Sequence, residues 1–428
     1  MFSPAPRLLW TISLLFIPAL TLLGVNESVL PLVAILIIVL PCVFALDAYR
    51  LSNALALVKV SADASVSAYK DRMATLEVMV TLPKSIRELQ IALDVPISFV
   101  QADAIARVTS PAKISFAFTA QSRGEFAIQK AFIAAASAWG LWRLRSEKPL
   151  NLLVKVFPDL SKDPSSRRLF STLQQGQRVQ RLIGRGREVE RLRDYAPGDS
   201  FDEVYWKATA KRGSPVSKVF QVERTQDIYA IVDGSRLGNR NQALERFVSA
   251  SLLLAVAAEK NSDNFGLLTF TDKVEHFVRA AHGKGHFHRC REAIYDLQPT
   301  PVSPDFAELF TFINLRIRKR ALLFFLTDLS DPLLAETFSR GVVIVTRRHI
   351  VMVDQIADAG DRPLFSGALP ETERDVQTRL AGHLQWAKLR ELERSLRHIG
   401  VHMQLLKPEQ TIAELIGQYM TIKQRQLL

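Results

Sequence analysis

The chain has 428 residues, of which 48% are hydrophobic and 23% charged, with two cysteines and a formal net charge of +12. That length exceeds one ordinary domain, and so much apolar material excludes a chain disordered overall. Cys42 sits in an apolar run and Cys290 in a predicted helix far downstream, so a disulfide scaffold is excluded as well.

In chain order, two apolar runs come first, Leu8–Val25 and Val29–Leu46, neither with a charged side chain and each near the shortest length that crosses hydrocarbon. Asn26, Glu27 and Ser28 separate them, which predicts a transmembrane helical hairpin over residues 1–50 rather than a cleaved signal peptide. Arg7 precedes the first run, Arg50 and Lys59 follow the second, and Glu27 marks the tip. The positive-inside rule then puts both ends and the rest of the chain in the cytoplasm, as a two-pass protein of the inner (cytoplasmic) membrane.

Residues 51–160 alternate with a period near two. Leu57–Ala62, Thr75–Leu82, Leu89–Val95, Ile114–Thr119, Glu125–Lys130 and Leu150–Phe157 read as strands with no helical stripe between them, which predicts an immunoglobulin-like β-sandwich. Trp139 and Trp142 read as packing residues.

Residues 161–226 begin with an arginine-rich linker, including Arg167, Arg168, Arg178, Arg181, Arg185 and Arg187. Apart from Phe170 it carries no aromatic residue, so it offers no base-stacking platform and nucleic acid is not the expected partner. Then comes Arg191, Tyr195-Ala-Pro197-Gly198-Asp199 and Trp206-Lys207-Ala208-Thr209-Ala210. Pro197-Gly198 is a turn, and Ser200 with Glu203 has capping-box spacing that predicts a short helix through Trp206. Arg191, Tyr195, Gly198, Asp199, Trp206 and Lys207 are the candidate interaction residues. The alternative, favoured on sequence, is a lock in which Trp206 is wedged into the next domain. An acidic and basic mixture without His or Cys is poor acid–base machinery.

From 227 to 428, strands and helices alternate: Ile228–Val232, Leu244–Lys260, Phe265–Phe270, Val274–Val278, His286–Leu297, Leu309–Arg318, Ala321–Thr327, His349–Val353, Leu384–His398 and Val401–Leu406, then a helix from Thr411. This predicts an α/β doubly wound domain whose ligands sit beyond the carboxyl ends of the strands, where Asp233 and Asp328 fall. His282, His286, His288 and Cys290 match no zinc spacing, and Gly283 and Gly285 beside them predict a surface loop entering the helix that starts at His286.

The order from Gly184 to Arg224, closing on Asp233-Gly234-Ser235, resembles the signature of the DUF58 family, whose members carry a von Willebrand factor A-like domain. The resemblance implies a helix over Gly341–Thr346, where the Val and Ile residues alone favour a strand. It also implies a metal-ion-dependent adhesion site, with Asp233, Ser235 and Asp328 as ligands of a possible Mg²⁺. That site is degenerate, because Leu237 holds the second serine position and Arg236 adds a positive charge; Thr300 or Ser303 would supply the remaining hydroxyl. Finally it implies a protein-binding adaptor working with a MoxR-type AAA+ ATPase on client proteins. The rival function is a metal-dependent hydrolase using Asp233 and Asp328. The sequence holds no enzyme signature.

Overall fold

The computed structural model describes all residues except 1, 26–29, 102–103, 162–182, 198–200, 222–224, 359, 367–371 and 426–428. It divides into two units, Met1–Asp159 and Leu160–Leu428, each with its own core.

The first unit opens with β1 (Phe2–Pro4), α1 (Pro6–Val25) and α2 (Leu30–Ala56). Within α2, Val33–Ala56 is long and apolar enough to cross a membrane, while Pro6–Thr21 in α1 is apolar but shorter. Both helices expose large apolar side chains, among them Leu9, Trp10, Leu14, Ile17, Ile35, Ile37 and Ile38. Soluble surfaces seldom carry so much contiguous apolar area. The helix continues ten residues beyond the predicted end at Leu46, because Leu51, Ala54 and Leu55 keep an apolar face that is buried in the β-sheet core.

That core lies between two sheets built from β2 (Lys59–Ala62), β3 (Ser65–Tyr69), β4 (Met73–Thr81), β5 (Leu89–Leu93), β6 (Phe99–Gln101), β7 (Ala106–Val108), β8 (Ala112–Ala120), β9 (Gly124–Ala136) and β10 (Trp142–Phe157). One sheet runs β1-β10-β9-β5-β7, with β3 also on β10, and the other runs β2-β4-β8-β6. Leu89, Ile91, Ile133 and Val154 from the first meet Leu76, Val78, Phe116 and Phe118 from the second. Successive side chains of a strand point to opposite faces, so this alternation buries one face of each sheet. Trp142 packs on this core and donates its indole N–H to the Phe44 carbonyl at 3.0 Å; Trp139 is exposed. Phe2–Pro4 pairs antiparallel with Trp142–Leu144, so the chain entering α1 and the chain leaving α2 are both held by the same body.

The second unit begins with a hairpin of β11 (Ile183–Asp194) and β12 (Val216–Gln221), carrying α3 (Trp206–Arg212) between its strands. The remainder comprises β13 (Asp227–Asp233), α4 (Ala243–Lys260), β14 (Asn264–Phe270), β15 (Val274–Ala281), α5 (Lys284–Ile294), α6 (Phe306–Arg316), β16 (Ala321–Leu326), α7 (Pro332–Thr346), β17 (Ile350–Ile356), α8 (Glu373–His398), β18 (Val401–Leu406) and α9 (Thr411–Gln424). The sheet order is β15-β14-β13-β16-β17-β18, parallel except for β15 at one edge. Alternate residues of β13 serve opposite layers. Ile228, Ala230 and Val232 pack toward α4, α5 and α9, and Tyr229 and Ile231 toward α6, α7 and α8. A parallel sheet needs both faces covered, which explains its nearly continuous apolar strands. Gly341–Thr346 lies in α7, as the family resemblance implied and against its β-branched composition.

Two expectations are corrected here. A single 3-10 turn, Phe201–Glu203, follows Ser200 where the short helix was expected, and the α-helix of the signature starts at Trp206 instead of ending there, with Tyr205 at its N-cap; Ser200 lies outside the described residues. The His282–Cys290 segment is a loop entering a helix, as predicted, but it does not lie wholly at the surface. Gly283 precedes a helix that turns His286 and Cys290 inward, while His282 and His288 face solvent. Burial pushes the Cys290 thiol up to about 12, so it is an inert core group.

Candidate functional site

The carboxyl edge of the parallel sheet collects the loops after β13, β14, β16 and β17. Asp233 ends β13 and is buried. Its Oδ1 accepts the Ser235 backbone N–H at 2.9 Å and its Oδ2 the Thr327 hydroxyl at 2.5 Å. Burial raises its pKa; the hydrogen bonds from Thr327 and Ser235 oppose that rise, and the charge of Asp328 adds to it. The Ser235 hydroxyl is buried and accepts the Leu237 N–H at 3.4 Å. Asp328 begins the next loop and accepts the Ser330 N–H at 2.8 Å. Buried Gln355 clamps that loop, accepting the Leu329 N–H at 3.0 Å and donating to the Ser330 hydroxyl at 2.7 Å. A small cavity beside it is lined by Phe247, Asp328, Ser330, Gln355, Asp358 and Asp361.

Thr300 and Ser303, the expected third-loop hydroxyls, are engaged elsewhere. Thr300 Oγ1 donates to the Gly234 carbonyl at 3.1 Å, and Ser303 Oγ accepts from Arg236 Nε at 3.1 Å. The Arg236 guanidinium also reaches Asp331 at 3.5 Å, which fixes a cation beside the Asp233 loop. Leu237 offers no oxygen. Magnesium demands near-octahedral oxygen coordination, and this donor set does not fit that shell. Among the described residues no group of three or more His, Cys, Asp or Glu side chains is arranged to hold a metal. Calorimetry with MgCl₂ at millimolar concentration is expected to show no saturable uptake. Saturable binding lost on Asp233→Asn would restore the ion to this edge.

The signature hairpin is a second constellation. Arg191 lies in β11 opposite Val219, and Gly198 and Asp199 lie outside the described residues. Tyr195 is half-buried, with its ring 6.5 Å from that of Phe201 and its N–H donated to the Pro215 carbonyl. The Thr209 hydroxyl accepts the Val216 N–H at 3.1 Å, tying α3 to β12, and Gly213 ends the helix at φ 72°. No residue of α3 is buried. Trp206 is 62% exposed and Phe201 73%, with Lys207, Lys211 and Arg212 exposed around them. Trp206 is therefore not the buried wedge of the lock reading. Trp206→Ala is expected to cost about 0.5 kcal/mol or less in stability, which thermal melting of the chain would check.

Sequence reasoning found Asp233 and Asp328 but missed Thr327 and Gln355, which hold the loops. Thr327 directly precedes Asp328, yet its role exists only because β16 lies beside β13.

Residues 191–387 match the family model described as "Protein of unknown function DUF58". The match takes in every candidate residue named above. No curated protein matches the chain. Among solved structures it is similar to a non-cellulosomal cohesin from Archaeoglobus fulgidus, at 8% identity over 23% of this chain and 90% of that one, with a TM-score of 0.17. It is also similar to proximal thread matrix protein 1 from the mussel byssus, at 9% identity over 47% of this chain and 46% of that one, with a TM-score of 0.26. A protein of unknown function from Porphyromonas gingivalis W83 gives 11% identity over 24% of this chain and 48% of that one, at 0.18. Scores this low carry no argument about fold or function.

Proposed function

We propose that this chain is a membrane-anchored protein-interaction protein, an adaptor that binds its partner through the signature hairpin and the carboxyl edge of a von Willebrand factor A-like domain. The observation that carries the reading is α3, a helix with no buried residue that offers Trp206 to solvent amid lysine and arginine. Exposed tryptophan beside arginine is the composition of interface hot spots, whereas the surface of a chain with no partner has little use for it. The resemblance argued from the signature makes a MoxR-type AAA+ ATPase the expected partner, acting on client proteins.

Two-pass anchorage in the inner membrane is part of this reading. It is supported by the apolar exposure of α1 and α2 and by the return of α2 to the body that also holds β1. That body, in this reading an immunoglobulin-like sandwich, then lies in the cytoplasm with the second unit, on the side marked by Arg7, Arg50 and Lys59. The hydrolase alternative draws no support from an Asp233 already committed to Ser235 and Thr327.

The test is co-purification from solubilised membranes. Wild-type chain is expected to retain an AAA+ ATPase, and Trp206→Ala to lose it while melting as wild type does. Retention by Trp206→Ala would remove α3 from the interface, and the absence of any ATPase would remove the partner.

A further inference from the structure

The opposite edge of the parallel sheet, where the strands begin, has a different character. Arg316, Arg318, Lys319 and Arg320 join α6 to β16, and Arg347 and Arg348 join α7 to β17; all six are exposed. Because Leu322 pairs in parallel register with Ile350, the two joining segments enter the sheet side by side, and α6 packs against α7 above them. Residues far apart in sequence thus make one basic surface. Among the described residues no carboxylate forms an ion pair with Arg318, Lys319, Arg347 or Arg348. Of the acidic residues at this edge, Asp227 stands in register with Ala321 and accepts the Asn264 amide at 2.8 Å, and buried Asp263 is paired with Lys423. Just beneath the surface, buried His349 has its pKa lowered to about 4 by desolvation and by the charge of Arg348, so it stays neutral and leaves the field to the arginines.

Charge is not the surface's only feature. Leu315, next to Arg316, is 65% exposed, and Ile344, one turn before Arg347, is 53% exposed. Apolar side chains standing among lysine and arginine suit the headgroup boundary of a bilayer, where the aliphatic group enters the interface and the cations meet phosphate. Nucleic acid would call for exposed aromatic side chains to stack on, whereas Phe312, one turn before Arg316, is half-buried and covered by the Arg316 guanidinium 5.8 Å from its ring centroid.

We infer that the strand-start edge of the α/β domain, through Arg316, Arg318, Lys319, Arg320, Arg347 and Arg348 with Leu315 and Ile344, docks on the anionic phospholipid surface of the membrane that anchors the chain. The inference rests on the anchorage proposed above. Its consequence is orientation. Strands of six or seven residues separate the two edges by about 20 Å, so a domain seated on its basic edge presents the Asp233–Asp328 edge to the cytoplasm and to a partner.

The experiment is hydrogen–deuterium exchange on the full chain in lipid nanodiscs, either of phosphatidylcholine alone or with phosphatidylglycerol added. Backbone amides of residues 315–320 and 344–349 are expected to exchange about tenfold more slowly in the anionic discs. The protection should disappear in the variant carrying Arg318→Glu, Lys319→Glu, Arg347→Glu and Arg348→Glu, persist with Arg318→Lys, Arg347→Lys and Arg348→Lys, and weaken with Leu315→Ser and Ile344→Ser. If the charge-reversed variant melts early, wild type at about 0.5 M salt replaces it, since screening at that strength removes a surface attraction. Equal exchange in the two kinds of disc overturns the inference, as does protection that survives high salt. So does equal protection by single-stranded RNA in phosphatidylcholine discs, which would make the edge a nucleic-acid surface. The anchor is judged separately: a chain that washes off phosphatidylcholine discs refutes the anchorage, whereas one that stays with its basic edge unprotected refutes only the docking.

Discussion

Replacing Asp263 with alanine is expected to lower the stability of the second unit by about 3–5 kcal/mol, as removal of one member of a buried ion pair does. Asp263 is 1% exposed and its carboxylate closes three connections. Oδ2 accepts from Lys423 Nζ and from the Tyr419 hydroxyl, both at 2.6 Å, and Oδ1 accepts the Gln226 N–H at 3.1 Å. Together these bonds join α9 to the entry of the central strand, through Asp263 and Lys423 that lie 160 residues apart in the chain. Burial and the neighbouring Asp263 charge push the Tyr419 phenol up, so it remains a neutral donor throughout the accessible pH range. Alanine would leave Lys423 with only the Asn261 carbonyl and would take the carboxylate acceptor from the buried Tyr419 hydroxyl. Exchange protection of β13 and α9 measures the loss in the presence of the membrane segment. The combined Asp263→Leu and Lys423→Met variant should cost less than Asp263→Ala, because it removes both charges at once. A cost below about 1 kcal/mol for the single variant, the level of an exposed pair, would sink the argument.

Nothing in the sequence marks Asp263 or Lys423, and that contrast is instructive. Periodicity revealed β13, β16 and α4 because each is buried on both faces or along a wide stripe, so that packing dominates their composition. The short β1, β3, β6 and β7 gave too few residues to show a period. β9 and β10 were underestimated because the Ala131–Ala136 tract and the charged Arg143–Lys148 segment are held in strand form by pairing with each other. α8 begins at Glu373 instead of Leu384. Its Thr372–Asp375 capping box was readable, but the first turns bury nothing and so carry no apolar stripe. For the candidate site, strand-end position was legible at Asp233 and Asp328, whereas the hydrogen bonds that occupy Asp233 require the pairing of distant strands. The wedge reading of Trp206 rests on the signature holding no nucleophile–base pair or metal-ligand cluster, but that absence carries no information about burial, and Trp206 is exposed.

Asp354 gives the second large effect, and it is one of pH. The residue lies on β17 with no exposure, and its Oδ1 accepts from Gln418 Nε2 at 2.6 Å. Burial pushes its carboxyl up to about 7; the Gln418 hydrogen bond opposes the rise and the charge of Glu414 adds to it. Asp354 Oδ2 and Gln418 Oε1 are both buried acceptors without a donor. A proton on Oδ2 supplies the one donor these two atoms lack, giving an acid–amide pair bonded in both directions. The folded chain then holds a proton that the unfolded chain, with an ordinary carboxyl near 3.8, releases. More protons bound in the native state mean that stability falls as pH rises. The loss is expected to run from about pH 4 to about pH 7 and to total up to about 4 kcal/mol, the equivalent of three pKa units. Asp354→Asn keeps the shape and replaces the titrating hydroxyl with an amide N–H that can face Gln418 Oε1. That variant should lose this part of the pH slope and be more stable than wild type at pH 8, with little difference near pH 4. Denaturation of both proteins across that range, followed by exchange in β17 and α9, measures the difference directly. An Asn variant that is less stable at pH 8 would mean that the folded chain stabilises the Asp354 carboxylate through a donor other than its own proton, and would overturn the raised carboxyl.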